Sequence, residues 1–78
     1  MPTLADLVCG QHAEVLAISG PPAFVQRIYE LGLLEGERLE LIAVAPLGDP
    51  IEIRLGNSRL SLRRSEAAHI DVRIIHAP

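Results

Sequence analysis

Strict alternation of apolar and charged positions is the strongest signal in this chain. Ile51, Ile53 and Leu55 alternate with Glu52 and Arg54, and further on Ile70, Val72 and Ile74 alternate with Asp71 and Arg73. A strand turns successive side chains to opposite faces, so each segment reads as a strand with one apolar inner face. Arg38 to Ala45 has the same character, with Arg38 and Glu40 on one side and Leu39, Leu41 and Ala43 on the other. Ser58 to Leu62 returns from a Gly56-Asn57 turn, where glycine supplies the positive φ of a type II′ hairpin. Ala13 to Ser19 is rich in strand formers, with Val15 and Ile18 the strongest, and Gly20-Pro21-Pro22 stops it.

Between the first two strands the period changes. Phe24, Ile28 and Leu31 fall at i, i+4 and i+7, with Gln26, Arg27 and Glu30 opposite, which predicts a helix from Ala23 to Leu31. Proline is tolerated in a first turn, and Gly32 stands where a left-handed residue ends a helix. Thr3 caps a short turn holding Leu4, Leu7 and Val8, closed by Gly10, and Ser65 caps a single turn through Glu66, Ala67 and Ala68. Glu35-Gly36-Glu37 is a turn. Pro46-Leu47-Gly48-Asp49-Pro50 is a loop, since two prolines and a glycine do not share a ladder, and Asp49 is expected to cap its own turn. The sum is a mainly β chain: a small five-stranded barrel with one helix between strands one and two and a short helical turn before the last strand. Its expected inward set is Val15, Ile18, Phe24, Ile28, Leu31, Leu41, Ile53, Leu60, Leu62, Ile70 and Val72.

Composition narrows the function. The 78 residues are expected to form a single domain, 1–78, and the apolar half is almost entirely Leu, Ile, Val and Ala. A net charge of −3, with Phe24 and Tyr29 as the only aromatic residues, argues against nucleic acid, which needs a basic field and stacking platforms. Cys9 is the sole cysteine, so no internal disulfide forms, and a small reduced domain points to the cytoplasm. Met1-Pro2-Thr3-Leu4-Ala5-Asp6 has no basic or long apolar region, and no stretch approaches the roughly 20 apolar residues of a span. The expectation is a soluble protein without a signal peptide or membrane insertion.

The chemistry-bearing patterns are sparse. No G-x-S-x-G segment and no phosphate-binding loop occur, the chain contains no lysine, and Ser65 is explained as a cap, so the chain does not read as an enzyme. Cys9 and His12 have a Cys-x-x-His spacing, yet a stable structural site supplies four ligands, and His69 and His76 would have to converge on the pair by folding. Neither a bound metal nor a cofactor is expected.

Leu4 and Leu7 before Gly10, Glu30-Leu31-Gly32-Leu33 with Gly36 soon after, Pro46-Leu47-Gly48-Asp49-Pro50-Ile51, and Leu60-Ser61-Leu62-Arg63-Arg64-Ser65-Glu66-Ala67 running into Ile70 and Val72 follow one another in an order that resembles the FeoA family. The resemblance runs from Leu4 to Val72. It implies an SH3-like barrel and an adaptor of bacterial ferrous-iron uptake, binding and modulating FeoB, the membrane transporter with a cytoplasmic GTPase region. The same barrel resembles the C-terminal domain of iron-dependent repressors, which supplies the alternative of a metal-sensing regulatory module. Self-association is a further reading. The helix carries only Arg27 as a base, fewer than the family resemblance leads one to expect. Leu33 and Leu34, which cannot both enter so small a core, are expected to join Leu47 and the helix in an apolar contact cleft, with Arg27, Asp49 and Arg63 also facing the partner.

Overall fold

The computed structural model describes residues 2–76; Met1, Ala77 and Pro78 of the expected single-domain span lie outside them. A 3-10 turn at Leu4–Asp6 is followed by β1 (His12–Ile18), α1 (Pro22–Glu30), β2 (Arg38–Val44), β3 (Ile51–Leu55), β4 (Ser58–Leu62), α2 (Arg64–Ala67) and β5 (Ile70–Ile75). The five strands form one antiparallel sheet in the order β4-β3-β2-β1-β5. Every expected strand is present, the helix lies between the first two, and the short helical turn precedes the last. β1 meets β2 only from His12 to Glu14, but runs beside β5 from His12↔Ile75 to Ile18↔Ile70.

Two irregularities in register decide which side chains face inward. Val15 and Ile18 are three apart, and simple alternation would place them on opposite faces. Along β5 the register passes from Val15↔Val72 to Ala17↔Asp71, so Leu16 is the extra residue of a bulge and Ile18 returns to the inner face opposite Ile70. Leu16 is left exposed. On β2 the register passes from Leu41↔Ile53 to Ala43↔Glu52, which makes Ile42 the extra residue. Ala43 was expected inward with Leu39 and Leu41. The bulge instead pairs it with Glu52 and lets Val44, opposite Ile51, pack against the core.

Turn chemistry accounts for most of the connections. Gly56 has φ +60° and no described non-glycine residue has positive φ, so the β3–β4 turn is of type II′. The opening 3-10 turn is closed by Asp6, whose carboxylate accepts the Thr3 backbone N–H at 2.8 Å. The α2 cap is one correction. Arg63, not Ser65, takes the cap position, and the capping acceptor is the Glu66 carboxylate on the Arg63 N–H at 2.9 Å. Ser65 is the second helical residue, and the Glu66 carboxylate, three residues past the cap, supplies the half of a capping box that takes the cap residue's own N–H.

The core is aliphatic. Leu4, Leu7, Ala13, Val15, Ile28, Leu33, Leu39, Leu41, Ile51, Ile53, Leu62, Ala67, Ile70 and Val72 are buried, and Ile18, Phe24 and Leu60 pack partly covered against them. Leu31 departs from the expected inward set, being 43% exposed, and Leu33 takes its place. The reason is the way α1 ends. Gly32 adopts φ +94°, its N–H donates to the Tyr29 carbonyl at 2.9 Å, and the Leu33 N–H donates to the Ile28 carbonyl at 3.2 Å. That pair of bonds reverses the chain and folds the residue after the glycine back onto the helix, where Leu33 and Ile28 are both buried.

Candidate protein-contact site

The short helix α2 organises one corner of the molecule. Its first residue, Arg64, donates its backbone N–H to Asp49 Oδ1 at 2.9 Å, its Nε to the Gly48 carbonyl at 2.5 Å and its Nη1 to the Ala5 carbonyl at 2.8 Å. One side chain therefore ties the 3-10 turn to the β2–β3 loop. Asp49 was expected to cap its own turn; it caps the start of α2 instead, fifteen residues away. Two residues further on, Glu66 pairs with Arg27 of α1 while its other oxygen holds the Arg63 N–H. The Arg63 backbone bond, then the Arg27 side-chain bond, keep the Glu66 carboxyl below the ordinary glutamate range. Arg27 also lies over the Phe24 ring, 5.8 Å from its centroid, and that ring meets His69 at 5.6 Å.

This arrangement brings together Arg27, Asp49 and Arg63, strung along α2, with Leu47 on the adjoining loop. Arg63 is exposed, and with Asp49 and Pro50 it lines an open cleft of about 200 Å³. A neighbouring cleft of about 210 Å³ runs along Ala43, Val44, Ala45 and Ile51, with Glu52 and Ser61 on its border. Leu47 is 97% exposed. Leu33 does not belong to this surface: it is fully buried, and a side chain inside the core presents nothing to a partner. Leu34 is exposed and precedes β2, whereas Leu47 follows it. With Leu33 inside the core, the expected cleft of Leu33, Leu34 and Leu47 is not formed.

Arg64 is the residue that sequence reasoning missed. The Arg63-Arg64 pair before a short helix was the available signal, but nothing local says that the second arginine reaches carbonyls sixteen and fifty-nine positions earlier.

Other polar residues lie outside this corner. Cys9 is exposed, and the His12 Nε2 lies 3.9 Å from Glu40, which also faces Arg54 at 3.6 Å. No group of three or more His, Cys, Asp or Glu side chains converges among the described residues. Ser19 donates its hydroxyl to the His69 carbonyl at 3.2 Å. Near the end of α1, Tyr29 donates its hydroxyl to Glu35 at 2.8 Å; that bond to a carboxylate holds the phenol above its ordinary pKa.

Comparison with known proteins gives the corner a context. The FeoA domain model matches residues 3–74. The FeoA protein of Chlorobium tepidum, solved in solution, is 40% identical and superposes with a TM-score of 0.90 over 96% of this chain and 71% of its own. The FeoA of Stenotrophomonas maltophilia, solved in complex with zinc and described as a procaryotic SH3 domain protein, is 31% identical, with a TM-score of 0.81 over 94% of this chain and 91% of its own. A fusion of Fe(2+) transport protein A with the Fe(2+) transporter FeoB from Porphyromonas gingivalis is 36% identical over 72 residues, 92% of this chain. This chain spans only 8% of the fusion's length. With a family match over nearly its whole length and the SH3-like sheet of its relatives, this chain belongs to the FeoA family of ferrous-iron transport.

Proposed function

We propose that this chain is an accessory adaptor of ferrous-iron uptake, a binding module and not an enzyme, which associates with the cytoplasmic GTPase region of a FeoB-like membrane transporter. The observation that carries this reading is the Porphyromonas gingivalis fusion, in which a relative of this chain is covalently joined to FeoB. Two domains that share one chain in one organism have reason to meet as separate proteins in another. The contact is assigned to the α2 corner, through Arg27, Leu47, Asp49 and Arg63, with Leu34 as a separate exposed position at the opposite end of β2. No described helix is long and apolar enough to cross a membrane, which suits an adaptor that approaches the transporter from the cytoplasm.

The corner carries charges of both signs. Arg27 is paired with Glu66, Asp49 keeps its carboxylate charge while accepting the Arg64 amide, and Arg63 is exposed. Exposed pairs of this kind contribute about 0–1 kcal/mol, and the surface charges serve orientation more than affinity. The test is calorimetric titration of the full chain into the purified GTPase region of the cognate transporter, with GDP, with a GTP analogue and without nucleotide. A one-to-one complex in at least one state is expected. Absence of association in all three at cytosolic salt overturns the proposal.

A further inference from the structure

The loop that carries Leu47 is built as a turn. The Gly48 N–H donates to the Ala45 carbonyl at 2.7 Å, which places Pro46 and Leu47 at the two central positions. Pro46 presets φ for the first of them, and Gly48, at φ +89°, takes the position after the second. The Ala45 N–H donates to the Pro50 carbonyl at 3.0 Å and closes the loop at its base. Arg64 then grips the loop from outside, its Nε on the Gly48 carbonyl and its amide on the Asp49 carboxylate, while its Nη1 reaches the Ala5 carbonyl. Around the tip, Ala45, Gly48, Asp49 and Pro50 are all engaged. Pro46 and Leu47 make no such bond to a described residue, and the Leu47 side chain stands almost wholly in water.

Isolated apolar residues on a surface are ordinary, and flexible loops carry many of them. The combination here is different. A loop backbone already held in place spares binding the cost of ordering it, which is what makes a single residue on its tip an effective anchor. We propose that Leu47 is such an anchor, seating in a concave apolar pocket of the partner sized for one branched aliphatic side chain, and that Arg64 is the positioning residue that presents it. This deepens the adaptor reading and rests on it: the partner is the same transporter region, and Arg64 touches it only through the loop.

The experiment is a double-mutant cycle on the full chain, titrated against the transporter's GTPase region in the nucleotide state that binds wild type. Leu47→Ala is expected to weaken binding roughly 10- to 100-fold, the share one aliphatic side chain contributes on burial, with the melting temperature unchanged. Arg64→Gln is expected to weaken binding less, and to speed amide hydrogen exchange at Gly48. The deciding result is non-additivity: in the Leu47→Ala background Arg64→Gln should cost clearly less than it does alone, because the main thing a loosened loop loses is its anchor. If Arg64→Gln is unfolded at the assay temperature, Arg64→Lys replaces it, keeping the charge but losing the two-carbonyl grip, with the same non-additivity expected. Binding by Leu47→Ala within twofold of wild type overturns the anchor. Additive losses overturn the positioning role of Arg64. A wild-type chain that does not bind at all overturns the adaptor reading itself, so the two failures are distinguishable.

Discussion

The two ends of β2 are finished in different ways. Before it, residues 31–37 are held by main-chain bonds: Gly32 to Tyr29, Leu33 to Ile28, Glu37 to Leu34, and Gly36 to the Val15 carbonyl at 2.8 Å. After it, the 46–50 loop is gripped by a guanidinium and supplies the carboxylate that caps a helix fifteen residues away. The first end depends on which backbone angles its residues allow and on one buried leucine. The second depends on particular side chains meeting across the sequence. Backbone-held corners tolerate most surface exchanges, whereas side-chain-held corners give a single substitution a large local effect.

The comparison breaks most visibly at Leu33. Leu33→Ala removes a wholly buried side chain and is expected to cost about 2–5 kcal/mol in urea denaturation, while Leu34→Ala next to it changes stability by less than about 0.5 kcal/mol. Equal losses at the two positions would mean that the reversal after α1 is not what places Leu33 in the core. Gly32→Val comes second. A Cβ there would have Leu55 Cδ2 at 4.0 Å, ordinary contact distance, so space is not the obstacle. The cost is the positive φ, on the order of 1–3 kcal/mol for a β-branched residue, read as a lowered melting temperature.

Acid tests the other corner more gently. The Glu66 pKa is depressed in the folded protein, so its pairing stabilises at pH values above the ordinary glutamate range and is lost as pH falls through the folded-state pKa. The stability difference between wild type and Glu66→Gln, below about 1 kcal/mol at neutral pH for so exposed a pair, should therefore vanish at low pH in a series of melts. A difference that grows on acidification would contradict the pairing. The smallest effect sharpens the contrast. Tyr29 and Glu35 form a side-chain bond within the backbone-held end, and its loss should leave stability unchanged. Glu35→Gln is expected only to lower the Tyr29 titration midpoint toward that of a free phenol, as followed by ultraviolet absorbance.

The same division separates what the sequence discloses from what it hides. Phe24, Ile28 and Gly32 encode a helix and its end within ten residues, and the Ile51–Leu55 alternation and Gly56-Asn57 turn are equally local. The exchange of Leu31 for Leu33 and of Ala43 for Val44 escapes simple periodicity, because a reversed chain end and a bulge each change the phase of the pattern. The candidate corner was legible only as a set of separate residues: Arg27, Leu47, Asp49 and Arg63 were marked as expected contact positions, but their assembly around α2 was not. Arg64 joins segments fifty-nine positions apart, and no window of sequence carries that information.

The pairing of β1 has a kinetic consequence. Its companion along most of its length is β5, and His12 lies opposite Ile75, sixty-three positions later in the chain. Closing so long a loop carries a length-dependent entropy cost of about 3–4 kcal/mol before the contacts it permits can form. A growing chain on the ribosome can build α1 and the β3–β4 hairpin early. β1 gains its main partner only after residues 70–75 have emerged, so the native sheet cannot be completed before β5 is available.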